Sequence, residues 1–368
     1  MAEAGSTSGQ PTSVGAATLA GPVDHSARSH GTITSGASAR PIFLFGMERS
    51  GTTLLSMMVG AHRQIAVPLA TTGMWIEFAE RLKHFNNLAS YADLQHLIDE
   101  VLAHERIALW DAALERDSLL QDLPLGDYGA VVARFHSEYA RAKGKPFWAN
   151  IDIATLDAMD LVNSWFPDCL FVHIVRDGRD VALSHQTMPY GAGNIAECAR
   201  AWCDRTMTNL KMGRVLGPQR YLSIRFEDLV LDTEASLRTI CEFLAVSFDP
   251  SMLRHGDMVD EKIPENRRWL WPSIAGAPEA SKASQWRHKM TRSQRIVFER
   301  FANRALKAWG YEAYDAVPKS ISAHCLDLWY YLTQGGRLRR LRRCLGLRTV
   351  SLLERQALQQ KKRQSRER

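Results

Sequence analysis

Nothing in the 368-residue chain approaches the roughly 18 consecutive apolar residues that a membrane-spanning helix needs, and the apolar stretch 42–47 is far shorter. The six cysteines (169, 198, 203, 241, 325 and 344) form no CxxC pair and keep no regular spacing. That pattern argues against a disulfide framework and predicts reduced thiols in the cytoplasm. The first 40 residues contain no aromatic side chain and lack the basic-then-apolar order of a signal peptide. Because 26 of them are Ala, Gly, Ser or Thr, they bury too little to offset the entropy of ordering, and 1–40 is expected to be a disordered leader. There is no internal repeat. The twelve histidines form no ligand-like cluster, and His104-Glu105 lacks the second histidine of HExxH because position 108 is alanine, so no metal is expected.

A basic folded face is missing as well. The net charge is +6, but residues 337–368 hold 12 Lys or Arg against two Glu, a net of +10, which leaves 6 − 10 = −4 for residues 1–336. A nucleic-acid enzyme spreads positive charge over its folded surface, so no nucleic-acid partner is expected. The tail itself, with Leu338, Leu341 and Leu345 among arginines, reads as a solvated extension or as a short basic helix able to touch an anionic membrane surface weakly.

What the chain does contain is alternation. Short apolar runs at 42–45, 147–151, 169–175 and 221–226 are each followed by helical spacing, as at 155–165, 179–187 and 234–244. Such alternation predicts an α/β fold with a central parallel sheet covered by helices on both faces. Residues 76–143 read as a helical insertion, and Thr291 with Gln294 as a capping box opening a helix to about Lys307. The expected division is therefore 1–40, a domain over 41–314, and a helical, basic extension over 315–368.

The first run leads into Gly46-Met-Glu-Arg-Ser-Gly51-Thr52-Thr53 and then an apolar helix. A strand, a glycine-bounded loop and a helix start make an anion cradle from backbone N–H groups and the helix dipole. The spacing is that of the phosphate loop GxxxxGK[ST], except that Thr52 stands where the lysine would be, leaving Arg49 as the loop's cation. Without the lysine, a triphosphate with Mg²⁺ is poorly served; a sulfuryl group on a phosphate fits better. Glu48 should point away from such a site. The second run ends in Arg176-Asp-Gly-Arg-Asp180 and, two helical turns on, Ser184. Arg176 offers a phosphate fork and Ser184 a further donor, although an arginine–aspartate surface network would give the same letters. A loose GxGxxA at 191–196 follows a predicted helix, not a strand, and is not read as a dinucleotide site. Trp75, Trp110 and Trp148 are read as core or acceptor-pocket walls.

Together, GMERSGTTLL and VRDGRDVALS resemble the sulfotransferase family that uses 3′-phosphoadenosine 5′-phosphosulfate (PAPS), closest in pattern to protein-tyrosine, Golgi and bacterial types. Phe166-Pro-Asp, Ile224-Arg-Phe-Glu-Asp-Leu-Val230 and Ser284-Gln-Trp286 extend the likeness across 41–314. The resemblance implies a P-loop-like sheet and sulfuryl transfer from PAPS, without a metal, to a hydroxyl or amine of a small-molecule, glycan or peptide acceptor. It implies that Arg49, Ser50, Gly51, Thr52 and Thr53 hold the 5′-phosphosulfate, and that Arg176 and Ser184 hold the 3′-phosphate. It also implies a glutamate base about 20 residues after the loop and a Lys-Thr-Pro near Trp148; here neither stands. The carboxylates open to the base role are Asp152, which could equally cap a strand end, and Glu77. Phe226 stands where many relatives show tyrosine. A P-loop phosphotransferase and a PAPS-binding protein without turnover stay open as alternatives.

Overall fold

The run after Pro41 is a four-residue strand buried on both sides. The structure, a computed structural model, describes residues 40–312 except 70–72, 189–193, 264 and 266–273. The expectations for residues 1–39 and for the tail beyond 312 lie outside the described residues. Within them the strands are β1 (Ile42–Phe45), β2 (Ile65–Ala66), β3 (Phe147–Ile151), β4 (Leu170–Val175) and β5 (Tyr221–Arg225). They form one parallel sheet in the order β2-β3-β1-β4-β5, with Phe43 of β1 opposite Asn150 on one side and Phe171 on the other.

Alternate side chains of the central strands enter different cores. Phe43, Phe45, Trp148 and Phe171 pack on one face, while Ile42, Leu44, Leu170, Val172 and Ile174 pack on the other. This is why β1 and β4 read as unbroken apolar runs: in a parallel sheet both faces are covered. Each such side chain contributes about 1.5–3 kcal/mol on burial.

The helices follow in chain order. After β1 comes α1 (Thr52–Ala61); between β2 and β3 lie α2 (Met74–Glu80), α3 (Tyr91–Leu102), α4 (Arg116–Leu120) and α5 (Tyr128–Ala142). Then α6 (Thr155–Trp165) joins β3 to β4, while α7 (Gly178–Gln186) and α8 (Ile195–Leu216) lie between β4 and β5. Beyond β5 come α9 (Phe226–Leu231), α10 (Thr233–Phe243), α11 (Val259–Lys262), α12 (Trp286–Lys289) and α13 (Arg292–Ala308). Among the described helices none is long and apolar enough to cross a membrane.

Local details correct parts of the expected pattern. Within the helical run 155–165, Leu161 is 37 % exposed while Leu156, Met159 and Val162 are buried, and the backbone is non-helical at Ala158. The apolar run at 221–226 ends as a strand at Arg225, the last residue of β5, and Phe226 opens α9. The capping box at Thr291 is present, with both reciprocal hydrogen bonds.

The topology decides where a ligand can lie. From β1 the chain reaches β3 on one side and β4 on the other, so the order reverses at β1. In open α/β sheets, the crevice outside the carboxyl ends of the strands at such a switch receives the ligand. The loop after β1 and the segment after β4 both end there.

Candidate active site

The loop after β1 is tight because two glycines let it pass close to its neighbours. A Cβ on Gly46 would stand 2.4 Å from the Ile174 carbonyl oxygen, and one on Gly51 would stand 2.5 Å from the Phe226 ring. Gly51 also has φ +96°, and Arg49 has φ 70°, in the left-handed region. A side-chain-bearing residue held there costs of order 1–3 kcal/mol and persists only where its surroundings fix it. The Ser50 N–H donates to the Met47 carbonyl at 3.0 Å and closes the turn. Gly51 is also the N-cap of α1, so no side chain caps that helix. The N–H groups of a first turn have no partner inside their own helix, and with the positive end of the dipole they favour an anion.

The second motif meets this loop directly. Arg49 Nε donates to Ser184 Oγ at 2.9 Å, and Arg176 Nη1 donates to the Arg49 carbonyl at 3.1 Å. Arg176 Nη2 donates to the Lys282 carbonyl at 2.7 Å, its guanidinium lies 4.4 Å over the Phe226 ring, and Asp180 is 3.8 Å away. Burial pushes the Arg176 pKa down while Asp180 and Glu227 oppose the shift; an arginine stays charged under such conditions. Its buried Nε has no hydrogen-bond partner among the described residues, and so has a donor to offer an acceptor in the crevice.

The motif's other arginine has a different task. Arg179, 1 % exposed, pairs with Asp177 at 2.7 Å and Glu299 at 2.8 Å and lies 3.5 Å over the Trp286 ring. The arginine–aspartate network is therefore buried and structural on one side, and open to the loop on the other. A cavity of about 190 Å³ is walled by Asp177, Arg179, Arg225, Glu227 and Trp286 among others, but by no residue of 46–53.

The remaining site candidates divide by exposure. Ser50 and Thr52 are buried, and Thr53 is half-buried with its carbonyl accepting from Ser56 Oγ at 2.9 Å, so the loop presents mainly main chain. Asp152 follows β3, and its N–H donates to the Leu44 carbonyl at 3.1 Å. Its Oδ1 accepts from Gly73 N–H at 2.7 Å and Ala154 N–H at 2.8 Å. Burial lifts this carboxyl to about 6, against the lowering effect of those two N–H groups. Glu77 is exposed on the first turn of α2. Glu48 does point away: its carboxylate is 3.4 Å from Arg205 on α8. Trp75, Trp110 and Trp148 are all buried around His136, whose ring stacks on Trp148 at 4.7 Å. Burial pushes the His136 pKa down to about 4.

Sequence reasoning missed Lys282, whose carbonyl accepts from Arg176, and Arg205, which pairs with Glu48 of the loop, each across more than a hundred residues. No local signal marks either. Among the described residues no group of three His, Cys, Asp or Glu could hold a metal ion.

The chain is similar to known proteins in sequence and in fold. Protein-tyrosine sulfotransferase 2 of Gallus gallus is 26% identical over 224 residues, covering 59% of this chain and 54% of that protein. Protein-tyrosine sulfotransferase 1 of Homo sapiens is 26% identical over 235 residues, covering 59% of this chain and 54% of that protein. The chain thus spans about half the length of the curated relatives it matches. The sulfotransferase domain of the Synechococcus PCC 7002 olefin synthase shares the fold, with a TM-score of 0.51, 19% identity, and coverage of 76% of this chain and 98% of that one. Residues 41–250 match the model of the Sulfotransferase family, and the chain belongs to that family.

Proposed function

We propose that the protein transfers a sulfuryl group from PAPS to an acceptor hydroxyl or amine and releases adenosine 3′,5′-bisphosphate. The observation that carries this reading is the Arg49–Ser184 hydrogen bond, flanked by the Arg176 bond to the Arg49 carbonyl. One cluster thus offers a cation and loop N–H groups for a 5′-phosphosulfate beside a serine and a second arginine for a 3′-phosphate. The orphaned Arg176 Nε and the glycine-lined cradle fit an anionic ligand of that kind.

In the proposed reaction the acceptor oxygen or nitrogen bonds to sulfur while the bond from sulfur to the phosphate oxygen breaks. Arg49 and the loop N–H groups stabilise the charge that grows on the departing phosphate oxygen. Asp152 takes the acceptor's proton. Its carboxyl, lifted to about 6, lies near the pH at which a general base is most effective. Glu77 is the second candidate for that proton. The names of the relatives make a tyrosine-containing peptide the first acceptor to try, with small-molecule and glycan hydroxyls beside it.

Calorimetric titration with adenosine 3′,5′-bisphosphate, with and without Mg²⁺, tests the site, and transfer of labelled sulfate from PAPS across an acceptor panel tests the reaction. Binding that needs no Mg²⁺, followed by labelled product, is the expected result. ATP turnover dependent on Mg²⁺ would instead select a phosphotransferase, and binding without product across the panel would select a nucleotide-binding protein.

A further inference from the structure

The loop that would receive the phosphosulfate carries a carboxylate of its own. Glu48 precedes Arg49 directly, and a free carboxylate there would repel the incoming anion and compete for the Arg49 guanidinium. The two side chains are held apart by different helices. Arg49 turns to Ser184 on α7, whereas Glu48 Oε2 lies 3.4 Å from Arg205 Nη1 on α8.

Arg205 is itself fixed from two sides. Its Nη2 pairs with Asp157 of α6 at 2.6 Å. Behind it, Asn209 Nδ2 donates to the Arg205 carbonyl at 2.8 Å and to the Leu156 carbonyl at 3.0 Å, tying this turn of α8 to α6. The Glu48 backbone is held as well: its carbonyl accepts from His185 Nε2 at 3.3 Å. Burial lowers the His185 pKa, and because a carbonyl can only accept, Nε2 is the nitrogen that carries the proton in this bond. The charged groups acting on His185 are Glu48, Arg49 and Arg205.

We propose that Arg205 is a positioning residue for the anion cradle: it draws the Glu48 carboxylate away from the Arg49 guanidinium and from the phosphosulfate. The proposal rests on the PAPS reading of the loop. The Arg205 and Glu48 side chains are each about one-third exposed (32% and 33%), and an ion pair so exposed contributes little to folding stability. Its removal should therefore act on ligand affinity and leave the fold in place.

The test is a double-mutant cycle on the full chain, reading calorimetric Kd for adenosine 3′,5′-bisphosphate, KM and kcat with PAPS, and Tm. Arg205→Met keeps most of the alkyl stem and should weaken bisphosphate binding about tenfold, the effect of one modest charge interaction. KM for PAPS should rise in step and kcat should fall with it, since Arg49 also serves the departing oxygen, while Tm changes little. Glu48→Gln should tighten binding about two- to threefold by removing the competing charge. The double variant should recover wild-type affinity, and Arg205→Lys should retain most of it. If the double variant binds as weakly as Arg205→Met, or if Arg205→Met binds like wild type, the positioning role is wrong. Wild-type affinity for the bisphosphate separately tests the PAPS reading, and a wild-type protein that binds none overturns both.

Discussion

Arg49 and Ser184 stand 135 positions apart in the chain and are joined by a 2.9 Å hydrogen bond across the ends of β1 and β4. Neither element could create this contact alone. Gly46 lets the loop lie against β4, and the αL turn at Arg49 aims its side chain across the sheet edge toward α7. The bond is a resting arrangement in which a cation has a neutral partner that an anionic ligand can share.

Replacing Arg49 with alanine should abolish transfer while leaving the fold intact, because the side chain serves the crevice and not either core. Loss of a charged donor at the departing oxygen costs roughly 2–4 kcal/mol in the transition state. Steady-state turnover with PAPS, beside a thermal melt, is the measurement. Near-wild-type kcat would remove Arg49 from the mechanism.

Ser184 and Arg176 should separate in a comparison of nucleotides. Ser184→Ala should weaken adenosine 3′,5′-bisphosphate more than adenosine 5′-phosphate, since its hydroxyl is assigned to the 3′ end. Arg176→Ala should cost more for the bisphosphate, as charged hydrogen bonds are roughly twice as strong as neutral ones. It should also weaken adenosine 5′-phosphate, because Arg176 holds the Arg49 carbonyl and the Lys282 carbonyl. Equal losses for the two nucleotides in Ser184→Ala would show that the serine only supports Arg49.

Gly46→Ala tests the packing argument without touching a charged group. The added Cβ would meet the backbone oxygen of Ile174, which cannot rotate away as a side-chain end could. The variant should lose about 1–3 kcal/mol of stability, the usual cost of forcing extra volume into a packed site, and its bisphosphate affinity should fall as the loop is displaced. Denaturant titration and calorimetry read the two effects. An unchanged midpoint would mean that the loop does not need its close approach to β4.

The parts of the molecule visible in the sequence are those where local pattern and tertiary role coincide. β1 and β4 are apolar throughout because they are buried on both faces, and Gly46 and Gly51 mark backbone that no side chain could follow. The 22-residue helix α8 escaped notice for the opposite reason. Its buried face mixes Cys198, Ala199, Trp202 and Cys203 with Thr206 and Asn209, so the apolar period is broken by residues whose hydrogen bonds are made inside the fold. β2 has only two residues, and its identity comes from pairing with Phe147 and Trp148. Glu48 was readable as an awkward charge in an anion loop. Its partner Arg205 was not, because the pairing spans 157 positions and depends on how α8 packs against α6.

Asp152 gives the most demanding prediction, because one substitution should raise stability and lower activity together. Its carboxyl has a pKa of about 6 in the folded protein against 3.8 for the free group, with burial as the main cause. Below pH 3.8 the folded and unfolded forms are both protonated and no penalty exists. As pH rises through 6 the unfolded chain ionises first, so stability is lost across that window and stays lower above it, by about 2–3 kcal/mol. Asparagine never ionises, yet its Oδ1 can still accept from Gly73 and Ala154, so Asp152→Asn should match wild type near pH 4 and exceed it at pH 7. If Asp152 is also the base, the same variant should keep bisphosphate affinity and lose about 10²–10⁴-fold in kcat, and the acid limb of the rate profile should disappear. Greater stability with undiminished kcat would leave Asp152 as a backbone holder alone and pass the proton to Glu77 or to an acceptor that arrives ionised.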